Sequence, residues 1–390
     1  MAHCSSSHSA EYDDQNEQAE IRDDLCPGIS ATVNAHLVGK GWWRGCQMAE
    51  EGEISAADSD ELAEAMLTSS RSVVRTCMQI RPSEHVLIVT DPHCSEVGQS
   101  LYEAAAEVTD RVLLMMMPPS HKKGAEPPDP VAELMRQQDV VLIATKSSLT
   151  HTRARRNASR ENARIASMPG ITSEILSKGG MTADYGAIKK EISGLNSLLR
   201  KRTLVRVRSS SGSDFTFTTG ARWILEDNGI CNRPGQITNL PTGKVFVLPK
   251  EGSANGKIVI DGSLDGEILD EPVTLLVEDG NVIEISGGSV SEDLISKMDS
   301  IRSSVKISQI EKVGTLAEFG FGMNPKSRLS GSQLEDQVVR GSSYIAIGDN
   351  SSLGGSSRVG YQIRGVMLKP TVELEDVDLV LEGKVTARKR

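Results

Sequence analysis

The sequence predicts a two-domain α/β protein, with an N-terminal doubly wound α/β domain and a C-terminal β-rich α+β domain. Short apolar runs alternate with helical stretches between residues 57 and 202, as in a parallel sheet covered on both faces. From residue 203 onward, β-like runs are separated by Gly, Asn, Asp and Ser. The chain has 390 residues, 38% of them hydrophobic and 25% charged, so it is long enough for two cores.

In the first domain, apolar residues recur at helical spacing from residue 58, and Pro82 ends the pattern. Three apolar runs then predict parallel strands, at 85–91, 111–117 and 139–145. Because functional groups of such sheets gather at the carboxyl ends of the strands, we expect the segment 145–156 to face the site. It contains His151, for which a substrate contact and a structural role are equally typical. It also contains Ser148, which is more typical of a helix N-cap than of a substrate contact.

In the second domain, eight segments are predicted as strands or strand-turn units. They are 204–207, 215–218, 257–260, 273–278, 281–285, 311–321, 343–347 and 362–372. Residues 1–56 are rich in Ser, Asp, Glu and Gln, which predicts a divergent, partly disordered extension. The predicted organisation is therefore 1–56, 57–202 and 203–390.

Charge and cysteine content restrict the partners and the compartment. A net charge of −10 argues against nucleic acid or an anionic membrane as a partner. The six cysteines lack CxxC spacing, which excludes a zinc ribbon and favours reduced thiols. No run of about 18 apolar residues and no signal-peptide pattern is found. These features predict a cytoplasmic protein.

Several long segments, in order along the chain, carry a family resemblance. They are "RPSEHVLIVTD", "SSLTHTRARR", "ARIASMPGIT", "SGSDFTF", "NLPTGKVFVLPKEGSANGKIVIDGS", "LAEFGFGMNPKSRLSGSQLEDQVVRGSSYIAIGDNSSLGG" and "GVMLKPTV". From about residue 58 to 390 the chain resembles the thermophilic metallo-aminopeptidases of the aminopeptidase T and S type. It is most similar to their branch labelled leucyl aminopeptidase or 2,5-dihydroxypyridine 5,6-dioxygenase-like. The resemblance implies the aminopeptidase T/S-like fold and a homodimer.

The metal ligands of that family carry over poorly, position by position. The resemblance puts Lys244 where relatives have Glu, and it retains Glu318. Tyr344 stands for a histidine ligand, Ser351 for a tyrosine ligand, and the pair Gln362 and Arg364 for His-x-Asp. Lysine and arginine offer a positive charge and no lone pair to a metal ion. The replacements therefore predict a site with no metal and no cofactor.

We accordingly expect a metal-independent enzyme of small-molecule metabolism, a hydrolase, cyclase or lyase, that acts on an amino-acid-like or heteroaromatic carboxylate or amide. Acid–base chemistry is assigned to Lys244, Glu318 and Tyr344. Substrate binding is assigned to Gln362, Arg364, His151, Ser148 and Ser351. Two alternatives stay open at this point. One is a non-catalytic ligand-binding or regulatory protein with an inert salt bridge, and the other is a metallo-aminopeptidase or ring-cleaving dioxygenase with a shifted ligand set.

Overall fold

A computed structural model describes residues 56–120, 124–199, 202–219 and 227–389. The extension predicted over 1–56 lies outside the described residues, apart from Ala56. The described residues belong to one compact unit. None of their helices is long and apolar enough to cross a membrane.

The described strands and helices are numbered in chain order. The strands are β1 (Val86–Thr90), β2 (Val112–Met116), β3 (Val140–Ala144), β4 (Arg164–Ser167), β5 (Leu204–Arg208), β6 (Asp214–Thr218), β7 (Ile237–Asn239), β8 (Lys244–Val247), β9 (Asn255–Ile260), β10 (Ser263–Leu264), β11 (Glu267–Ile268), β12 (Val273–Glu278), β13 (Asn281–Ser286), β14 (Leu316–Gly322), β15 (Ser343–Gly348), β16 (Gln362–Met367), β17 (Thr371–Leu374), β18 (Val377–Leu381) and β19 (Lys384–Lys389). The α-helices are α1 (Ala56–Ser72), α2 (Ser95–Ala106), α3 (Asp129–Arg136), α4 (Arg153–Arg160), α5 (Ser173–Lys178), α6 (Tyr185–Leu199), α7 (Gly288–Ser304) and α8 (Gln333–Asp336).

The first half is a parallel sheet with helices on both faces. Its strand order is β2-β1-β3-β4-β7, and every pair of neighbours is parallel. Alternate residues point to opposite faces: Ile88 lies in a cluster with residues of α1 and α2, whereas Leu87 and Val89 lie with residues of α3 and α4. This arrangement confirms the predicted doubly wound domain.

The second half contains two antiparallel sheets, which confirms the predicted β-rich part. One has the order β11-β10-β16-β15-β14-β8 and the other β13-β12-β9-β6-β5-β17-β18-β19. Phe319 of the first sheet packs against Phe215 and Phe217 of the second, with ring centroids 6.1 and 5.1 Å apart. Because side chains alternate along a strand, Glu318 and Gly320 face away from this aromatic contact.

Strand β7 connects the two halves. It follows the predicted boundary at residue 203, yet it pairs with β4 of the parallel sheet. Five residues after its end, Lys244 opens β8 of the antiparallel sheet. The edge of the parallel sheet formed by the carboxyl ends of its strands is thus covalently linked to the strand that carries Lys244. The domain boundary itself stays a prediction.

Candidate functional site

Four neighbouring strands bring together the charged residues that were predicted from the sequence. Lys244 lies on β8, Glu318 on β14, Tyr344 on β15 and Arg364 on β16, and these strands are adjacent in the order β8-β14-β15-β16. We call these four residues the charged cluster. Antiparallel pairing, and not sequence proximity, creates it.

The register explains why the side chains meet. Glu318 is paired with Ala346, and Ala346 is paired with Arg364, so these residues form one row across three strands. The methyl group of Ala346 leaves the space above the central strand open, and Glu318 and Arg364 reach towards each other across it. Gly320 is paired with Tyr344 in the next row. Its missing side chain makes room for the aromatic ring.

Glu318 is the centre of the cluster. It is 4% exposed, and its Oε1 accepts a hydrogen bond from the Tyr344 hydroxyl. The same oxygen lies 3.8 Å from Nζ of Lys244, and Oε2 lies 3.9 Å from Nη2 of Arg364. A buried carboxylate needs such partners, because an isolated charge away from water is strongly disfavoured.

Lys244 is held on several sides, and two of its partners were missed in the sequence. Its Nζ donates a 2.9 Å hydrogen bond to Oε1 of Gln337 and lies 3.4 Å from Oδ2 of Asp227. It also lies over the rings of Tyr344 and Phe246, at 4.9 and 5.2 Å from the centroids. Gln337 lies within the family segment 316–355 and Asp227 in a connecting segment, but no motif or spacing placed either residue beside Lys244.

Tyr344 is fully buried, and burial together with the neighbouring Glu318 carboxylate raises its pKa well above the usual value. Its hydroxyl therefore remains protonated and acts as a hydrogen-bond donor at neutral pH. The phenol orients Glu318 through this hydrogen bond, and the acid–base role assigned to Tyr344 stays a prediction.

Arg364 and Gln362 form the more accessible side of the cluster. The Arg364 side chain is 23% exposed, and its buried Nε has no hydrogen-bond partner among the described residues. Gln362 donates through Nε2 to the backbone carbonyl of Asp349, at 2.9 Å. Both residues lie on one face of β16, as alternate positions of a strand must. They are the groups of the site best placed to meet a ligand.

The other predicted binding residues lie outside the charged cluster. Ser148 accepts a hydrogen bond from the backbone N–H of Thr150 at 3.2 Å, and Ser351 donates to Asp349 at 2.6 Å, so each takes part in a local turn. His151 is exposed at the end of the loop after β3. Substrate binding by these residues stays a prediction.

The pKa of His151 tests which charged residues lie near its ring. Although one side of the ring is exposed, loss of hydration on its covered side lowers the pKa of His151, the positive charges of Arg155, Arg364 and Arg156 lower it further, and Asp349 opposes them. We expect its NMR titration midpoint to lie below about 6.5 and to rise in the variant Arg364→Met. Because the folded state favours the neutral ring, His151 contributes to the free energy of unfolding at higher pH, and this contribution is lost as the pH falls below about 6.5. A midpoint above that value would contradict this arrangement.

Gly320 offers a test of how tightly Tyr344 is held. A Cβ atom at this position would lie 2.5 Å from Cε1 and 2.8 Å from the hydroxyl of Tyr344. We expect Gly320→Ala to destabilise the protein by about 2 kcal/mol, because the ring must move and overpacking is costly. Urea unfolding measures the loss. Gly194→Ala in α6 is the control, since nothing lies within 4 Å of its Cβ position, and equal stability of the two variants would refute the expectation.

The donor set near the cluster does not match a metal site. Among the described residues, no group of three or more His, Cys, Asp or Glu side chains is arranged to hold a metal ion. The carboxylates of Asp227 and Glu318 have the ammonium group of Lys244 between them, at 3.4 and 3.8 Å. A mononuclear iron site of two histidines and one carboxylate is therefore not formed by these residues, and we derive no reaction step through a metal.

A cavity of about 420 Å³ lies elsewhere, beside the end of β2. Its lining includes Met117, Glu126 and Leu149 and several prolines. None of the predicted site residues lines it, and its few polar groups give it no evident chemistry. We therefore assign the site to the charged cluster and not to this cavity.

Comparison with known proteins gives a consistent family. The model of the NicX family, described as 2,5-dihydroxypyridine 5,6-dioxygenase, matches residues 65–387. A 2,5-dihydroxypyridine 5,6-dioxygenase of Pseudomonas putida KT2440 is 26% identical over 215 residues, which are 51% of this chain and 59% of that relative. The alignment thus spans less than two thirds of the relative's length.

Two solved structures have the same fold. The 2,5-dihydroxypyridine dioxygenase of Pseudomonas putida KT2440 superposes with a TM-score of 0.70 at 19% identity, covering 86% of this chain and 99% of that one. AmpT from Thermus thermophilus superposes with a TM-score of 0.58 at 14% identity, covering 83% and 99%. These similarities confirm the aminopeptidase T-like fold, and the family match confirms the 2,5-dihydroxypyridine dioxygenase-like branch predicted from the sequence.

The same findings correct the predicted function. The leading prediction of a metal-independent enzyme with Lys244 and Glu318 as acid–base pair is wrong, because the matched family and relative are ring-cleaving dioxygenases. The assignments to leucyl aminopeptidases and to a lost metal site are likewise not supported. The relatives are enzymes, and the ring-cleaving alternative is the one that the comparisons favour. Since the family model covers most of the chain, the protein belongs to the NicX family, described as 2,5-dihydroxypyridine 5,6-dioxygenase.

Proposed function

We propose that the protein is a ring-opening dioxygenase whose substrate is a hydroxylated pyridine or a similar small heteroaromatic ring. The observation that carries the proposal is the family match over residues 65–387, which includes all four strands of the charged cluster. The matched relative is named for the same reaction.

The chemistry of the accessible side of the cluster supports a ring of this kind. A hydroxypyridine presents an acidic hydroxyl group beside a ring nitrogen. Arg364 offers N–H donors that stabilise an ionised ring oxygen. Gln362 uses its amide N–H₂ on Asp349, so its amide oxygen is directed to other donors, such as a ring N–H. One cation and one acceptor on the same strand face suit the two polar edges of the ring.

The buried part of the cluster has a positioning role in this proposal. Glu318 lies within 3.9 Å of Arg364, and Tyr344 and Lys244 contact its other oxygen. Tyr344 and Lys244 thus hold the Glu318 carboxylate, whose negative charge attracts the guanidinium group of Arg364. Water is kept from the inner residues, since Lys244, Glu318 and Tyr344 are all buried. A cation that is held in position over residues shielded from water binds an anionic ring more strongly than a flexible cation does.

Dioxygenation constrains what the reaction needs. Both atoms of dioxygen enter the product, one at each carbon of the broken ring bond, and the electrons that reduce them come from that bond. No external reductant is consumed. The carry-over of the family's ligand positions onto Lys244, Tyr344, Gln362 and Arg364 stays a prediction.

The proposal includes a small-molecule substrate, a homodimer and a cytoplasmic location. The free and buried state of Cys77, Cys94 and Cys231 supports a reducing compartment. The dimer rests on the family resemblance alone.

Oxygen consumption tests the function directly. Purified protein, with and without added iron(II), is mixed with 2,5-dihydroxypyridine in an oxygen electrode cell, and ring absorbance is followed in parallel. We expect substrate-dependent oxygen uptake that Arg364→Met reduces by at least about tenfold. Arg136→Met, which removes a surface ion pair with Glu133, is the control and should leave the rate unchanged. Binding of the ring without oxygen uptake would reject the dioxygenase assignment, and absence of binding would reject the substrate class as well.

A further inference from the structure

Arg364, on the accessible side of the charged cluster, has hydrogen-bonding groups that the described residues leave unused. Arg364 contributes a guanidinium group whose buried Nε has no partner among the described residues. Its contact with Glu318, at 3.9 Å, is too long for a hydrogen bond. The hydrogen-bonding capacity of Arg364 is therefore largely unused within the part of the chain that the structure describes.

The loop after β3 is fixed at the same edge of the parallel sheet. Oγ of Thr150 hydrogen-bonds to Oγ of Ser167 at 2.8 Å and to Oδ1 of Asn239 at 3.1 Å. Ser167 ends β4 and Asn239 ends β7. Because β7 leads directly to Lys244, these bonds hold the loop and its neighbour His151 beside the segment that enters the site.

Two arginines of α4 are attached to this loop. Nε of Arg155 donates to the carbonyl of Thr150, and Nη1 of Arg156 donates to the carbonyl of His151, each at 2.6 Å. Among described residues, no carboxylate is within ion-pair distance of Arg155. The charges of Arg155, Arg156 and Arg364 all act on the His151 ring, opposed by Asp349. We call Arg155, Arg156 and Arg364 the cationic mouth.

We propose that the cationic mouth binds an ionised carboxylate carried by the substrate ring, so that the preferred substrate is a hydroxylated pyridine carboxylic acid. This inference rests on the proposed function. The planar fork of arginine matches a carboxylate in two parallel hydrogen bonds. In this arrangement the ring hydroxyl faces the charged cluster and the carboxylate faces Arg155 and Arg364. A substrate without the acid group leaves these cations without a counter-charge.

Direct binding separates the acid group from the ring. Isothermal titration compares hydroxynicotinate with hydroxynicotinamide, which carry the hydroxyl at the same ring position and differ only in the charged group. We expect the carboxylate to bind at least about tenfold more tightly, as charge-assisted hydrogen bonds contribute that much or more. In Arg155→Met and in Arg364→Met, this preference should fall to near parity.

Arg153→Met is the matched control. Arg153 belongs to the same helix and carries the same charge, but its side chain is 80% exposed and it pairs with Glu126. It should retain the preference. Thermal unfolding of each variant verifies that it is folded. Equal affinities for the two ligands in the wild type, or a preference that survives Arg155→Met, would overturn the proposal. Inorganic phosphate competing as strongly as the carboxylate would replace it with an unspecific anion site.

The outcome is independent of that of the dioxygenase assay. Oxygen uptake with 2,5-dihydroxypyridine and no preference for the carboxylate would reject only the cationic mouth. A carboxylate preference with no oxygen uptake on any hydroxypyridine would reject only the dioxygenase. Absence of binding by both nicotinate derivatives overturns the inference whatever the oxygen assay gives.

Discussion

Glu318→Gln will destabilise the protein by about 3 kcal/mol and abolish binding of the ring. The substitution preserves shape but removes the one negative charge that Lys244 and Arg364 share, at 3.8 and 3.9 Å. Breaking a buried ion pair from one side costs this much, because the remaining charge stays away from water. Among the described residues, Arg364 then has no carboxylate within ion-pair distance. Urea unfolding and a ligand titration measure the two effects.

Glu84→Gln separates stability from function in this test. Glu84 forms a second, mostly buried ion pair with Arg164, at 2.8 Å. This pair lies at the amino-terminal ends of the strands of the parallel sheet, away from the edge formed by their carboxyl ends. We expect a comparable loss of stability and no change in ring binding by the folded protein. If Glu318→Gln binds the ring as wild type does, Glu318 has only a structural role and the site assignment fails.

The second large effect is expected for Lys244→Met. Methionine keeps the length of the side chain and removes the ammonium group that lies between Asp227 and Glu318. Two buried carboxylates then lose a shared cation, and Gln337 loses its donor, so we expect a stability loss of about 2 kcal/mol. In kinetic terms, kcat/KM should fall at least about tenfold, because Glu318 no longer orients Arg364.

The conservative variant Lys244→Arg tells positioning from mere loss of structure. Arginine keeps the positive charge that lies near Asp227 and Glu318. We therefore expect Lys244→Arg to keep a higher kcat/KM than Lys244→Met. Lys297→Met, which breaks an exposed pair with Asp265, is the control and should leave both the activity and the stability close to wild type. Equal kcat/KM values in Lys244→Arg and Lys244→Met would argue against the role assigned to Lys244.

Most of the fold could be predicted from the sequence, because most of its strands and helices have a recognisable local sequence pattern. The runs at 85–91 and 139–145 became β1 and β3, which are buried along their whole length. The run at 273–278 became β12 with identical bounds. Strand β7 could not be recognised in this way. Its three residues are too short for a periodic pattern, and only pairing with β4 makes them a strand.

The site could be predicted in part. Lys244, Glu318, Tyr344 and Arg364 were selected from the family resemblance, and pairing of their strands brings them into contact. Partners from connecting segments, such as Asp227 and Gln337, depend on tertiary packing alone. The function was mispredicted for a different reason. The prediction followed the unusual residues at the metal-ligand positions and not the overall similarity to dioxygenases. A match over most of the chain says more about the reaction than substitutions at a single site do.

Isotopic labelling tests the central claim most directly. The protein is supplied with 2,5-dihydroxypyridine under heavy dioxygen, and the product is analysed by mass spectrometry. A ring-opening dioxygenase gives a ring-opened product that contains both heavy oxygen atoms. A product with one or no heavy oxygen atom, or an unchanged ring that is bound but never opened, would contradict the account.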